Sequence, residues 1–354
     1  MDPRIRKLAS ILTDYSLKIK KGDRIRLLFG EEAKELALEC YKNIIQKGAF
    51  PVVHCSIPGF SYAYYQFASD EQLRTYPELV DYEVKKCQGQ INIGADYNTK
   101  EFTNIDPKKI AMRNKLTSKI SDYIVDQNNW AITEFPTNAL AQDAEMSLEE
   151  FQDFVYASTN VDWQEESKKQ DKLKKVLDEG KEVQIIGKNT NLRFSIVGRQ
   201  GIKCDGKRNM PDGEVFIAPV EDSTEGYIEY SFPAIYNSRE VSGIRLKFEK
   251  GKLVEAKAEK NEAFLKEMIT MDEGAKRIGE FGIGLNFGIK KFVKQILFDE
   301  KIGGTIHLAL GRAYKEGGGK NKSALHWDMI KDLREEGKIL VDGKVIMEKG
   351  KFFV

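Results

Sequence analysis

The 354-residue sequence predicts an α/β protein in two parts, an N-terminal parallel-sheet α/β domain over 1–180 and a strand-rich α+β C-terminal domain over 181–354. Three observations carry that expectation. In the first half, short apolar runs alternate with amphipathic stretches, the pattern of parallel strands joined by crossover helices. In the second half, strand patterns such as 183–186 and 192–196 follow one another with fewer helical stretches. Between them lies a highly charged run, 162–180, helical in pattern, which predicts a solvated connecting helix closing the first domain. The length suffices for two hydrophobic cores.

The elements follow in order. Residues 1–12 place apolar side chains at helical spacing. Strands are expected over 24–29, 51–56, 90–94 and 130–134, with a helix over 31–47 and further helical patterns between several of them. Ser147-Leu148-Glu149-Glu150 is a capping-box signature that opens a helix through about Ala157. Beyond 181 a helix is expected near 261–273 and another after Phe287. The chain has no internal repeat and no low-complexity tract.

Composition narrows the class. Lys plus Arg is 56 against Asp plus Glu 55, a net charge of +1, so electrostatics offers no reason to expect a nucleic-acid or anionic-membrane partner. Charged residues make up 31% of the chain, above the ordinary share of about 25%, which points to ion-pair networks and a warm habitat. Cys40, Cys55, Cys87 and Cys204 show no C-x-x-C spacing and read as reduced packing residues. With no signal-peptide stretch at the start and no run of transmembrane length, a cytoplasmic location is expected.

The chemistry gathers in the second half. Of three histidines, His307 and His326 fall in the last fifty residues. In His326-Trp327-Asp328 the first and third side chains share a face if the chain is extended, so both could grip one ion; a hydrogen-bonded His and Asp pair is the plain alternative. His307 lies in the apolar, glycine-bounded run 303–311, a buried strand carrying one imidazole, which as a mere core residue would need a backbone acceptor. Glu214 and Glu280 occupy similar apolar, glycine-flanked settings, though each could be a surface Glu at a turn. Together Glu214, Glu280, His307, His326 and Asp328 suit two divalent ions with a bridging carboxylate and a bridging water, and hence hydrolysis.

These segments resemble the thermophilic-aminopeptidase family of dinuclear metallopeptidases, the aminopeptidase T and aminopeptidase S type. The resemblance runs through Asn209-Met210-Pro211-Asp212-Gly213-Glu214-Val215-Phe216, Val220 to Tyr227, Gly279-Glu280, His307 to Tyr314 and Asn321 to Asp328. Ile217 departs from it, standing where the family has a threonine. The resemblance implies that Glu214, Glu280, His307, His326 and Asp328 ligate two divalent ions (Zn, Co or Mn). It also implies that Tyr314 hydrogen-bonds the tetrahedral oxyanion, its plain role being a packed tyrosine ending the strand. The expected activity is a metal-dependent aminopeptidase that releases N-terminal residues by attack of a metal-bridging hydroxide, with Glu280 or Glu214 carrying the proton. A homodimer whose first domains help enclose the cavity is implied too. Rival expectations are another dinuclear amidase or dipeptidase, and a non-catalytic protein with one structural metal.

Other features carry less. The loop 314–323 lacks the first glycine and the Ser or Thr of a phosphate loop and reads as a flexible connection between the His307 and His326 strands. Gly282-Ile283-Gly284 with Gly288 has the wrong spacing for a dinucleotide fingerprint. His54 reads as a structural or surface residue of the first domain. Phe60, Tyr64 and Phe67 share helical spacing, which predicts core packing, although the aromatic run could line a peptide groove.

Overall fold

The computed structural model describes residues 2–127, 129–237 and 239–354. The chain divides into two compact units, one running to Asn160 and including Gly206–Pro211, the other comprising Val161–Asp205 and Asp212–Val354.

The first unit is built on a parallel sheet. Strands Arg24–Gly30, Phe50–Ser56, Gly89–Gly94 and Asn129–Glu134 lie within a residue of their expected bounds, with Arg24–Gly30 between Phe50–Ser56 and Gly89–Gly94. Leu27 aligns with Val53 on one side and Ile91 on the other. Helix Lys34–Gln46 turns Leu36, Ala37, Cys40 and Ile44 inward, a stripe at the helical period that covers the sheet. The Ser147 and Glu150 capping box forms as expected and starts helix Leu148–Thr159. The fifth strand, Asn209–Met210, arrives from far along the chain to pair parallel with Asn129–Glu134. Helix Phe60–Phe67 corrects the core expectation: it buries none of its residues, and Phe60 and Phe67 are 68% and 81% exposed. Spacing fixed its amphipathic face, but of that face Arg113 covers only Tyr64, and Phe60 and Phe67 stay exposed.

The second unit contains an eight-stranded and a five-stranded sheet whose apolar side chains join one core. Phe194 of the first and Phe281 of the second meet edge to face at 5.2 Å. Each such large apolar side chain, fully buried, contributes about 1.5–3 kcal/mol. The charged helix, Trp163–Glu179, is capped by Asp162 and belongs to this unit, because Leu173 and Leu177 enter its core. The first unit's leading segment thus ends at Asn160, ahead of the expected boundary at 180, and the unit takes in Gly206–Pro211 as well. The helix expected near 261–273 is Glu262–Ile269. After Phe287 only the short helix Ile296–Asp299 forms, because Lys294 turns left-handed and the Asp299 carboxylate accepts the Val293 N–H, folding the segment into a loop. Among the described residues no helix is long and apolar enough to cross a membrane.

Candidate metal centre

The five-stranded sheet of the second unit orders its strands as His326–Asp332, Thr305–Gly311, Ile278–Gly284, Glu214–Ile217 and Ile202–Cys204. Pairing is antiparallel, and its register decides which side chains share a face. Gly282 lies opposite His307, Gly284 opposite Glu214, Ala309 opposite both Glu280 and Asp328, and Gly311 opposite His326. Since side chains alternate along a strand, Glu214, Glu280, His307, His326 and Asp328 all emerge on one face. Val215, Phe281, Leu308 and Trp327, between them in sequence, go to the core on the other.

Small residues on the polar face leave room for the cluster. A Cβ on Gly282 would lie 2.0 Å from Cε1 and 2.1 Å from Nε2 of His307, so the imidazole rests on the bare backbone of the neighbouring strand. There His307 Nε2 stands 3.3 Å from Glu214 Oε2 and 3.3 Å from Glu280 Oε1. His326 Nε2 is 3.7 Å from Glu280 Oε2 and 3.5 Å from Asp328 Oδ2. The strand geometry expected for His326 and Asp328 therefore holds, and Glu280 faces an imidazole with each oxygen.

Backbone carbonyls set the tautomers. His307 Nδ1 donates to the carbonyl of Glu300 at 3.0 Å and His326 Nδ1 to that of Arg312 at 2.9 Å. A carbonyl only accepts, so both Nδ1 atoms carry protons and both Nε2 atoms face the carboxylate cluster, where each would ligate a metal ion on giving up its own proton, the arrangement of a metal-ligating histidine.

The electrostatics call for a cation. Burial pushes the Glu214 carboxyl up to about 8, against the opposing pull of Lys301. Burial works against a charged His307, yet Glu214 and Glu280 raise its imidazole to about 10. His326 is raised as well: burial opposes its charge, but Asp328 and Glu280 outweigh it. The buried Oε2 atoms of Glu214 and Glu280 have no hydrogen-bond donor. Carboxylates buried this way are costly unless a positive charge joins them. Ligands about 2.0–2.2 Å from a shared ion lie roughly 3.0–3.5 Å apart, close to the separations above, so the residues fit a divalent ion.

Two participants escape sequence reasoning. The ligand atoms of Glu300, His307 and Asp328 lie within 4.8 Å of one another, as do those of Glu214, Glu280 and His307. Lys301, fully buried at 0% exposure, pairs with the Glu300 carboxylate. In sequence, Asp299-Glu300-Lys301 reads as a charged surface turn; only its position beneath the His307 strand brings it inside. Tyr314 follows that strand, with its ring 5.3 Å from that of His326 and 5.5 Å from that of Phe216. Burial, then Glu280 and Asp328, raise its phenol well above the ordinary value, so it is a donor at neutral pH. His54 is in the other unit, on Phe50–Ser56, with Nε2 2.7 Å from Glu83 Oε1.

Comparison with known proteins shows the family and the fold. A family described as thermophilic metalloprotease (M29) matches residues 1–352. Aminopeptidase 2 of Geobacillus stearothermophilus is 25% identical, the match covering 96% of this chain and 94% of that protein. Aminopeptidase T of Thermus thermophilus is 38% identical over 114 residues, 30% of this chain and 27% of that one. The solved structure of wild-type AmpT from Thermus thermophilus has the same fold, with a TM-score of 0.87 over 99% of both chains at 22% identity.

Proposed function

Since the chain belongs to the thermophilic metalloprotease family, M29, we propose that it is a metal-dependent aminopeptidase whose centre is the carboxylate and imidazole cluster on the five-stranded sheet. The observation that carries this reading is Glu280, set between two imidazoles with an oxygen toward each. Glu214, Glu280, His307, His326 and Asp328 would hold two divalent ions (zinc, cobalt or manganese), with Glu300 at hand beside His307 and Asp328. Bound there, such ions would polarise the scissile carbonyl and make water nucleophilic at neutral pH.

The chain's own residues supply the rest. The carbonyls of Glu300 and Arg312 hold both imidazoles in one tautomer and orientation. Glu280 or Glu214 would take the proton of the attacking water and pass it to the leaving amine. Tyr314, protonated at neutral pH, donates a hydrogen bond to the oxyanion as the carbonyl carbon becomes tetrahedral. The excess of acids favours a substrate that brings a free α-amine and disfavours one whose end is blocked.

The reading extends to assembly and location. The exposed aromatic helix Phe60–Phe67 and the exposed Leu79 and Tyr82 of the first unit suit burial against a second copy, so we assign a homodimer. Four free cysteines suit the reducing cytoplasm.

A peptide with a free N-terminus, its N-acetylated twin and a chelated control, followed by mass spectrometry, test the activity. Stepwise loss of single residues from the free peptide, much slower cleavage of the blocked one and no cleavage after chelation are expected, with metal analysis finding close to two ions per chain. Internal fragments appearing first, or equal cleavage of both peptides, would favour a broader amidase; no turnover with any ion would leave only a metal-binding protein.

A further inference from the structure

The connection between the His307 and His326 strands contains Gly317-Gly318-Gly319 and Lys315, Lys320 and Lys322, a composition that predicts a flexible loop. Its returning arm is tied down. Asn321 Nδ2 donates to the carbonyls of Gly274 and Gly311, at 2.9 and 2.6 Å, while Asp272 accepts from Ser323 and from the Ala324 N–H, each at 2.8 Å. The arm that carries Tyr314 is held by a different device.

Arg199, 7% exposed, donates through Nη1 to the Gly318 carbonyl and through Nη2 to Glu221 Oε2 at 2.6 Å. The other oxygen of Glu221 accepts the Lys320 N–H at 2.8 Å. One ion pair therefore grips both sides of the glycine turn, and the Gln200 N–H adds a bond to the Gly317 carbonyl at 3.1 Å. The turn closes on the tyrosine: the Gly319 N–H donates to the Tyr314 carbonyl at 3.2 Å, and a Cβ on Gly319 would stand 2.7 Å from that oxygen. Contact passes without a gap from the ion pair to the turn and from the turn to the Tyr314 backbone. A largely buried ion pair is an expensive way to close a surface loop, because both charges must leave water. A cheaper closure would not hold the backbone as rigidly.

We propose that Arg199 and Glu221 are positioning residues for Tyr314, clamping the glycine turn against its backbone so that the phenol keeps its place beside His326. This rests on the reading of Tyr314 as the oxyanion donor. Such a donor acts in the transition state alone, so loosening it lowers kcat and spares KM.

The test is a double-variant cycle on the metal-loaded enzyme with a free-amine aminoacyl reporter. Arg199→Met is expected to lower kcat by roughly 10–100-fold, the scale of a misplacement near 1 Å, with KM within about twofold. In a Tyr314→Phe background the same change should have almost no further effect, since the group it positions is gone. Arg199→Lys, which keeps the charge but can reach fewer partners, should restore part of kcat. Independently of turnover, trypsin should nick folded Arg199→Met at Lys315 and Lys320 faster than wild type, at a similar Tm. If Arg199→Met does not fold, Glu221→Gln, which keeps an acceptor for Lys320, carries the same comparisons. Losses that multiply in the double variant, a loss confined to KM, or unchanged nicking would overturn the clamp. A wild-type enzyme without turnover would sink the aminopeptidase reading instead, and the nicking comparison would still decide whether the pair holds the turn.

Discussion

At the scale of residues, the centre depends on a missing side chain as much as on the ligands present. Glycine at 282 lets the His307 ring lie across the adjacent strand, within 3.3 Å of both Glu214 and Glu280. Gly282→Ala is therefore expected to push the ring aside and to weaken metal binding by roughly 10–100-fold, the scale of disturbed ligand orientation, measurable by titration with zinc on folded protein. Glu280→Gln and His326→Ala should each lower turnover by several orders of magnitude, since each removes a donor from the cluster. His54→Ala, on an exposed strand against Glu83, should leave turnover nearly intact. Normal metal affinity in Gly282→Ala, or lost turnover in the His54 variant alone, would place the centre elsewhere.

At the scale of elements, the strand ends of the first unit carry their own electrostatics. Glu134 closes strand Asn129–Glu134 with its carboxylate over Gly94, and its Oε2 is buried without a hydrogen-bond donor. Burial first, then Asp96, push its carboxyl up to about 8. A carboxyl raised in the folded state holds its proton there and ionises freely once unfolded, so folding loses stability as pH climbs from about 4.5 toward 8. Glu134→Gln removes that loss. Its Tm relative to wild type should rise between pH 5 and pH 9, and a constant difference across that range would refute the assignment. Most elements here were legible, because periodicity and capping are local: four parallel strands fall within a residue of their expected bounds, and Ser147 caps its helix through Glu150. The helix expected after Phe287 was not, because a left-handed Lys294 and the Asp299 carboxylate redirect that segment.

At the scale of the whole molecule, the surface of the first unit bears most directly on assembly. Exposed Phe60, Phe67 and Leu79, the last 86% exposed, form apolar surface that a lone chain would leave in water. Sedimentation at micromolar concentration should find a species of twice the 40.3 kDa chain mass. Replacing Phe60 and Phe67 together by Asp should shift it to the monomer while the second unit still binds metal. A wild-type chain sedimenting as a monomer would rule out the dimer.

Sequence alone determined the architecture's classes and the five principal candidates for metal binding, because hydrophobic period and short polar motifs within apolar strands are properties of neighbouring residues. His326 and Asp328 share a face by the pleat of a strand, whatever surrounds it. What only the tertiary structure decided depends on residues far apart in sequence. Asn209–Met210 completes the first unit's sheet, helix Trp163–Glu179 joins the second unit's core, and Lys301 leaves the surface for the interior. Gly282 becomes a seat for an imidazole 25 positions later only once antiparallel pairing sets the two residues opposite each other. Burial and register are set by partners across the fold, and a local pattern carries no record of which partner arrives.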